Sequence, residues 1–418
     1  MRCALFLVVP FLLGAQTPKD VRQAAKPGVS AIPTVAGYLR SSDVNTRVEA
    51  VKQLIAIGGK DTLDPLIQAT SDSDGEVQMR ATDGLVNYYL PGYVKQGIGS
   101  TVVRAGSAIR AKFGETPEQT IDAWVIVRPD VVTALGHLAR GGASFDSRAN
   151  ACRALGILRG RAAEPDLVEA LRSKDNGVMV EALVALRKIG DPEAGPRVTY
   201  LLHDLDDRVQ GAAIEAAGVL RSRDALPSLR GIVKNPRNNK SQRAALNAIA
   251  MMPEKDDRGL LAGMLTAKDD RERASGAEGL GRLEDRADVP QLEKLWKDEE
   301  KMAPRLAAAF GLVMSGRVAA GEDTPLWYLV STLNSGPWRD TALAYLIEAA
   351  RKNDVRNALY PAIEHGTRSE KTGLALVLAS SGDTGSVAYL DKLSRDPDEV
   401  AAQDGLKALR SLHARLGQ

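Results

Sequence analysis

Aromatic residues and cysteines are scarce in this chain of 418 residues. Phe, Trp and Tyr make up 4% of the sequence, and the abundant Leu, Ala and Val suit closely packed helices better than sheets. Cysteine occurs only at Cys3 and Cys152. An all-β fold and a fold stapled by disulfides are therefore disfavoured, and we interpret Cys152 as a small core residue.

An excess of charge of one sign is also missing. The chain has 55 Lys and Arg against 53 Asp and Glu, a net charge of +2, and both signs are interleaved along its length. A protein that binds nucleic acid normally shows a basic face, because neutralising phosphates supplies most of its affinity. We therefore expect no nucleic-acid partner.

Long apolar runs are confined to the first fifteen residues. Arg2 is followed by ALFLVVPFLLGA, an apolar run that ends in small residues, and this arrangement predicts a secretory signal peptide over residues 1–15. The run is shorter than the roughly 20 residues needed to span a bilayer. We expect cleavage near Ala15 and an exported protein, either periplasmic or secreted.

The usual motifs of catalysis and of cofactor binding are missing as well. His137, His203, His365 and His413 lie far apart in sequence, and none has a second ligand at metal-binding spacing. The sequence has no phosphate-binding loop, no dinucleotide fingerprint and no nucleophile elbow. We predict no metal, no cofactor and no catalytic residue, and hence a protein that is not an enzyme.

What the chain does contain is a repeat. GILRGRAAEPDL begins at Gly156, and GVLRSRDALPSL begins at Gly218. RKIGDPEAGPRV lies halfway between them, so that Pro165, Pro196 and Pro227 fall thirty-one residues apart. The repeat unit is therefore about thirty-one residues long, and about ten copies fill most of the chain.

Each unit predicts two helices. A proline opens a short first helix, and a polar turn such as KDNG or HDLDD supplies an Asp that can cap the second helix. The second helix is rich in Ala, apolar on more than one side, and closed by a glycine, as at Gly190. One unit cannot bury these faces alone. We predict an all-α fold, a right-handed α-solenoid of about ten two-helix repeats.

The order of proline, Leu-rich helix, Asp-containing turn and Ala-rich helix resembles the short HEAT-like repeats related to those of phycobilisome lyases, most closely from Ala149 to Leu283. The resemblance implies an arginine near the start of each second helix that ties adjacent turns through an Asp. The matching arginines are Arg47, Arg148, Arg273, Arg305 and Arg339, and the matching acids are Asp43, Asp175, Asp206 and Asp269. It covers the repeat framework and implies no chromophore site. We expect the glycines around Gly279 to cap a repeat helix.

The repeat is interrupted once. We divide the chain into a signal peptide (1–15), N-terminal repeats (16–89), an insertion (90–128) and a main array (129–418). Within the insertion, TPEQ predicts a short helix capped by Thr116, and WVIV at 124–127 predicts an extended segment. Insertions in repeat proteins map to one face, which is often the binding face.

These features favour a non-enzymatic scaffold that binds a protein or peptide through the solenoid surface, the insertion, or both. Aromatic residues of the C-terminal half either fill the core or form a contact patch for a partner. One alternative is an enzyme or cofactor-handling protein, which predicts buried polar groups with shifted pKa values under the insertion. Another is a structural subunit of an envelope assembly. Contact of the basic stretch 94–113 with a membrane surface is less favoured. The predicted partner-binding residues are Tyr93, Lys95, Arg104, Arg110, Lys112, Phe113, Trp124, Trp327 and Trp338.

Overall fold

The computed structural model describes residues 17–94, 119–122, 125–319 and 321–417. All regular secondary structure in these ranges is helical. They form two compact units, of which unit 1 ends at Ala194 and unit 2 begins at Gly195. No helix in the described part is long and apolar enough to cross a bilayer. The predicted signal peptide, 1–15, lies outside the described residues.

Unit 1 is built from helix pairs, and in most of them the first helix is shorter than the second. After the leading helix α1, the longer second helices α3, α5, α7 and α9 each pack against the next. The helices are α1 (Pro18–Ala24), α2 (Ile32–Gly37), α3 (Val44–Ile57), α4 (Leu63–Ala69), α5 (Gly75–Tyr89), α6 (Pro129–Gly141), α7 (Phe145–Ile157), α8 (Glu164–Ala170) and α9 (Asn176–Ile189).

Unit 2 continues the same pattern. Its second helices α11, α13, α15, α17, α19, α21 and α23 pack each on the next. The helices are α10 (Gly195–Val198), α11 (Asp207–Val219), α12 (Leu226–Lys234), α13 (Asn239–Met251), α14 (Arg258–Met264), α15 (Asp270–Leu283), α16 (Val289–Asp298), α17 (Met302–Met314), α18 (Pro325–Thr332), α19 (Arg339–Ala349), α20 (Asn353–His365), α21 (Arg368–Ser381), α22 (Val387–Leu393) and α23 (Glu399–Leu416). The predicted all-α array of about ten two-helix repeats is confirmed, with eleven pairs in the described ranges.

Short local signals set the helix ends. Pro165 and Pro227 lie in the first turns of α8 and α12, where a missing N–H costs no hydrogen bond. Asp175 caps α9 by accepting the backbone N–H of Val178 at 3.0 Å, and Gly190 ends that helix with φ of 72°. This left-handed conformation is one that glycine adopts without strain.

The glycines that open the repeated sequences lie inside second helices, where two helices cross closely. A Cβ atom on Gly156 would lie 2.9 Å from the Cα of Ala185, and one on Gly218 would lie 2.9 Å from the Cα of Ala248. These glycines therefore let neighbouring second helices approach. The prediction that Gly279 caps a helix was wrong, because it lies within α15 and packs against α14.

The insertion is described at its two ends. Residues 119–122 are not helical, so the helix predicted from Thr116 does not run through them. The reason is that the N–H of Ile121 donates to the carbonyl of Ile157 at 2.9 Å, at the end of α7, and Ile121 is buried there. The segment 125–127, predicted as extended, belongs to no helix or strand. Ile121 therefore packs at the C-terminal end of α7.

Cys152 is fully buried in α7. Burial raises the pKa of its thiol to about 12. The thiol therefore stays protonated and packs as a small apolar group, which agrees with its interpretation as a core residue.

Candidate functional site

Two of the five predicted arginines, Arg47 and Arg273, tie adjacent repeats through an acid. Arg47 of α3 donates from Nε and Nη2 to the carboxylate of Asp72 at 2.7 and 2.9 Å, and from Nη1 to the carbonyl of Ser41. Arg273 of α15 binds Glu299 in the same way, at 2.7 Å. In both pairs the acid belongs to the following repeat and lies two residues before the cap of its second helix.

Two of the other predicted arginines make different contacts. Arg339 reaches the next repeat through the carbonyl of Ser369 and the hydroxyl of Thr372. Arg148 donates to the carbonyl of Ala139 in its own repeat.

The acids that the resemblance matched to these arginines have a different role. Asp43, Asp206 and Asp269 each cap the second helix of their own repeat by accepting backbone N–H groups of its first turn. Asp175 does the same at α9. We call the arginine–acid pairs between neighbouring repeats the structural ladder. The acids of this ladder are not the capping residues but the ones two residues before each cap, such as Asp72 and Glu299.

Arg305 occupies the same position in α17 but lacks this partner. The equivalent residue of the next turn is Gly336, within NSGPW at 334–338, and this turn contains no acid. Arg305 forms no ion pair with a described carboxylate, and its Nε is buried without a hydrogen-bond acceptor. Its guanidinium instead lies 5.0 Å from the centre of the Tyr328 ring. The missing acid leaves a cationic side chain unpaired.

Arg305 lines a pocket of about 370 Å³ in unit 2, which we call the aromatic pocket. Trp296 comes from the end of α16, and Trp327 and Tyr328 come from the start of α18. The indole N–H of Trp296 is also buried without an acceptor. The pocket thus brings together three aromatic rings and an arginine without an ion pair to a described acid, and a carboxylate is the group that an arginine binds most specifically.

The loop before α18 adds the rest of the pocket. Glu322 and Asp323 are exposed and line it, together with Thr324, whose side chain caps α18. The hydroxyl of Tyr328 donates to the sulfur of Met302 at 3.3 Å. Burial raises the pKa of Tyr328 above its ordinary value, so the phenol stays neutral at physiological pH. The aromatic pocket comprises Trp296, Arg305, Glu322, Asp323, Trp327 and Tyr328.

Only some of the predicted partner-binding residues are brought together. Trp327 lies in the aromatic pocket, whereas Trp338 is half-buried at the start of α19 and does not line the pocket. Tyr93 is half-buried in unit 1, close to Arg153. The remaining predicted residues lie outside the described part of the chain: Lys95, Arg104, Arg110, Lys112, Phe113 and Trp124.

A polar cluster lies in unit 1, between α5, α7 and α9. Asn150 donates to Asp83 at 2.9 Å, and Arg153 donates to Glu181 at 2.6 Å. Burial raises the pKa of Asp83 from 3.8 to about 6, although Asn150 and Arg153 oppose the change. Burial alone would lower the pKa of Arg153, but Glu181, with help from Tyr93, raises it. Polar groups with shifted pKa values therefore do occur beside the insertion.

A second pocket in unit 1, of about 300 Å³, lies where the insertion rejoins the array. Its cation Arg128 pairs with both Asp64 and Asp130, and the backbone N–H of Arg128 donates to the hydroxyl of Tyr89. Unlike Arg305, this arginine has its charge neutralised within the protein. The second pocket therefore offers a ligand no free cation from Arg128.

Polar side chains of the second helices in unit 2 bind one another. Arg282 of α15 contacts Glu348 of α19 at 2.9 Å and Glu278 at 3.0 Å, and Tyr345 donates to Glu278 at 2.5 Å. Arg221, just after α11, reaches Glu348 at 2.6 Å. Burial raises the pKa of Tyr345 well above its ordinary value. These groups are satisfied internally and leave little free hydrogen-bonding capacity for a ligand.

Comparison with known proteins agrees with the helical repeat. Residues 132–218 and 196–281 match the family model of HEAT repeats. Residues 132–281 of this chain carry HEAT repeats. A search of curated proteins found no match.

Solved structures with similar architecture are distant in sequence. The complex of CpcE and CpcF of phycocyanin lyase from Nostoc sp. PCC7120 is 21% identical over 68% of this chain and 96% of that chain, with a TM-score of 0.40. An engineered protein is 19% identical over 91% and 98%, with a TM-score of 0.33. Kap121p bound to Nup53p is 13% identical over 97% and 48%, with a TM-score of 0.37. Similarity at this level identifies no function for the chain.

The HEAT repeats explain why part of the site escaped sequence reasoning. Arg305 was assigned to the structural ladder. The residue Gly336 in the following turn did not distinguish it, because Ser173 and His365 stand at the same place after Arg148 and Arg339.

Asp83 and Glu181 were missed because only the packing of α5, α7 and α9 brings these acids together with Asn150 and Arg153. Among the described residues, no group of three or more His, Cys, Asp or Glu side chains is placed to hold a metal.

Proposed function

We propose that this chain is an exported, non-enzymatic scaffold that binds a protein or peptide partner, with the aromatic pocket as a contact site. The observation that carries the proposal is the combination of Trp296, Trp327 and Tyr328 with the unpaired Arg305. Trp, Tyr and Arg are the residues most enriched at the energetic centres of protein interfaces. The helices α16, α17 and α18 supply the frame on which these side chains are held.

The distribution of satisfied and unsatisfied groups favours this pocket over the faces of the second helices. In unit 2, Glu278, Arg282 and Glu348 are committed to contacts with one another. In the aromatic pocket, the donors of Trp296 and Arg305 are not. A partner that supplies acceptors gains the hydrogen bonds that the free protein lacks.

Crosslinked co-purification from the native cell envelope tests the proposal. The mature chain would be compared with the variants W327A and W338A, because both residues are half-buried tryptophans of unit 2 and only Trp327 lines the pocket. We expect W338A to retain the partner and W327A to lose it. Equal recovery with W327A would move the contact site away from the pocket, and recovery of no partner by any form would contradict the scaffold.

Export is tested on the same material. The support for it is the charged and apolar pattern of residues 1–15. We expect mass spectrometry of the protein from the native host to find a mature N-terminus close to residue 16. An intact Met1 on the mature protein would contradict cleavage of a signal peptide.

A second candidate function, cofactor handling in unit 1, is favoured by one observation. Asp83, Asn150, Arg153 and Glu181 form a polar cluster beside the insertion, and one oxygen of Glu181 is buried without a partner. Native mass spectrometry of the host-purified protein tests it. A retained small molecule that is lost in R153Q but kept in R172Q, an exposed arginine of the same unit, would support this function, and absence of any added mass would oppose it.

A further inference from the structure

The aromatic pocket has a chemical preference that can be read from its charges. Arg305 has Gly336 where the acid bound by Arg273 would lie, and among the described residues its side chain forms neither an ion pair nor a hydrogen bond. An arginine fork matches the two oxygens of a carboxylate. The buried N–H groups of Arg305 and Trp296 both lack acceptors. The pocket therefore offers an organic carboxylate an arginine that has no acidic or hydrogen-bonding partner for its side chain within the described residues.

The two acidic residues of the pocket restrict the sign of any further charge on the ligand. Glu322 and Asp323 line the same pocket and are exposed. A second negative charge on the ligand would meet these two carboxylates, whereas a positive charge would be attracted by them. The ligand that fits thus carries one carboxylate and, close to it, a basic group.

The pocket is small for a folded element. Its volume of about 370 Å³ lies near the lower end of the roughly 300–1,000 Å³ of typical ligand pockets. This volume suits one or two residues rather than a docked helix. A chain terminus brings its carboxylate and its last side chain together and needs only one exit, while an internal Asp or Glu needs room for the chain on both sides.

We propose, on the basis of the function proposed above, that the aromatic pocket binds the C-terminal end of a partner polypeptide. The terminal carboxylate accepts from Arg305, and the last side chain packs against Trp327 and Tyr328. A Lys or Arg shortly before the end lies near the acids Glu322 and Asp323. Capture of a terminal carboxylate is one of the recurring modes of peptide recognition.

Binding of short synthetic peptides tests the proposal. The probes are N-acetylated tripeptides with lysine first, alanine second and each of the twenty amino acids last, prepared as free acids and as C-terminal amides. A third set has an amidated end and an internal aspartate in place of the alanine. Binding to the full mature chain is followed by tryptophan fluorescence, because two tryptophans, Trp296 and Trp327, line the pocket and would sense the ligand.

We expect a subset of free acids, with apolar or aromatic last residues, to bind at least tenfold more tightly than their amides. R305Q should remove this difference, and R395Q, a change at an exposed arginine of the same unit, should keep it. R305K, which keeps the charge but loses the fork, should bind with intermediate affinity.

Two results would overturn the proposal. If acids and amides bind equally, or if no peptide of the panel binds, the pocket does not recognise a C-terminus. If the internal-aspartate peptides bind as well as the free acids, and W327A abolishes both, the pocket remains a peptide site and only the assignment to a chain end fails. The proposed function is then retained, which separates the two failures.

Discussion

At the scale of single residues, Arg273 and Arg305 form a natural pair for comparison. They occupy the same position in α15 and α17, but Arg273 is bound to Glu299 and Arg305 has no acid. Removal of one member of a largely buried ion pair leaves the other charge uncompensated. Arg273 therefore stabilises the contact between repeats, whereas Arg305 does not. Substitution of each arginine should change the free energy of unfolding by different amounts.

We predict that R273Q lowers the free energy of unfolding by about 2 kcal/mol, and that R305Q changes it by less than about 0.5 kcal/mol. Urea unfolding of the two variants beside the wild-type chain provides the measurement. A loss of stability in R305Q as large as that in R273Q would mean that Arg305 holds the repeats together. Arg305 would then not be a cation that is available to a ligand.

Asp83 makes stability depend on pH. Its pKa is raised by burial from 3.8 to about 6, although Arg153 and Arg80 lower it and Glu76 adds to the rise. Between these values the folded chain holds a proton that the unfolded chain has released, so stability falls as pH rises through this window. Above about pH 6 the folded chain contains a buried carboxylate.

We predict that D83N removes this dependence. Between about pH 4.5 and 7.5, the stability of D83N relative to wild type should increase by about 2 kcal/mol. The exposed Asp61 lies in the same unit, and D61N should track the wild type across this range. Parallel stability curves for D83N and wild type would show that Asp83 titrates normally.

At the scale of helices, a glycine is required for stability only where two helices cross so closely that a Cβ atom has no room. Gly281 of α15 lies directly against Gly311 of α17, and a Cβ on Gly281 would overlap the backbone of Gly311. Gly231 lies in the exposed part of α12, with nothing within 4 Å of the place its Cβ would occupy. Both are helical glycines, so they differ only in what surrounds them.

We predict opposite signs for the two alanine substitutions. G231A should raise the free energy of unfolding by up to about 1 kcal/mol, because alanine favours the helix. G281A should lower it by about 1–3 kcal/mol, because the crossing helices must separate. Thermal unfolding measured by circular dichroism resolves the signs. A stabilised G281A would show that α15 and α17 do not need this approach.

The sequence predicted the elements better than the site. The thirty-one-residue spacing of prolines and the Asp-containing turns predicted the helix pairs, since both signals act within one repeat. The pairing of Arg47 with Asp72 could not be assigned, because it depends on how one repeat stacks on the next. Trp327 was predicted from the local enrichment of aromatics, while Trp296 and Arg305 join it only through the packing of α16, α17 and α18.

At the scale of the whole molecule, a repeat array is usually held by contacts between neighbours alone. Unit 2 departs from this rule. Arg221 and Glu348 are 127 positions apart and pair at 2.6 Å, and Arg282 joins the same carboxylate. Three second helices, α11, α15 and α19, are thus linked through one acid. Such a link should make their unfolding cooperative.

We predict that E348Q weakens this cooperation. Arg282 retains Glu278, so the loss of stability should be about 2 kcal/mol, below the cost of leaving a buried charge wholly unpaired. Hydrogen exchange followed by mass spectrometry should show faster exchange at the ends of α11, α15 and α19 together. E364Q removes an exposed pair with Lys392 and should act only locally. If E348Q speeds up hydrogen exchange only within α19, then α11, α15 and α19 open independently. Unit 2 would then be held by contacts between neighbouring repeats alone.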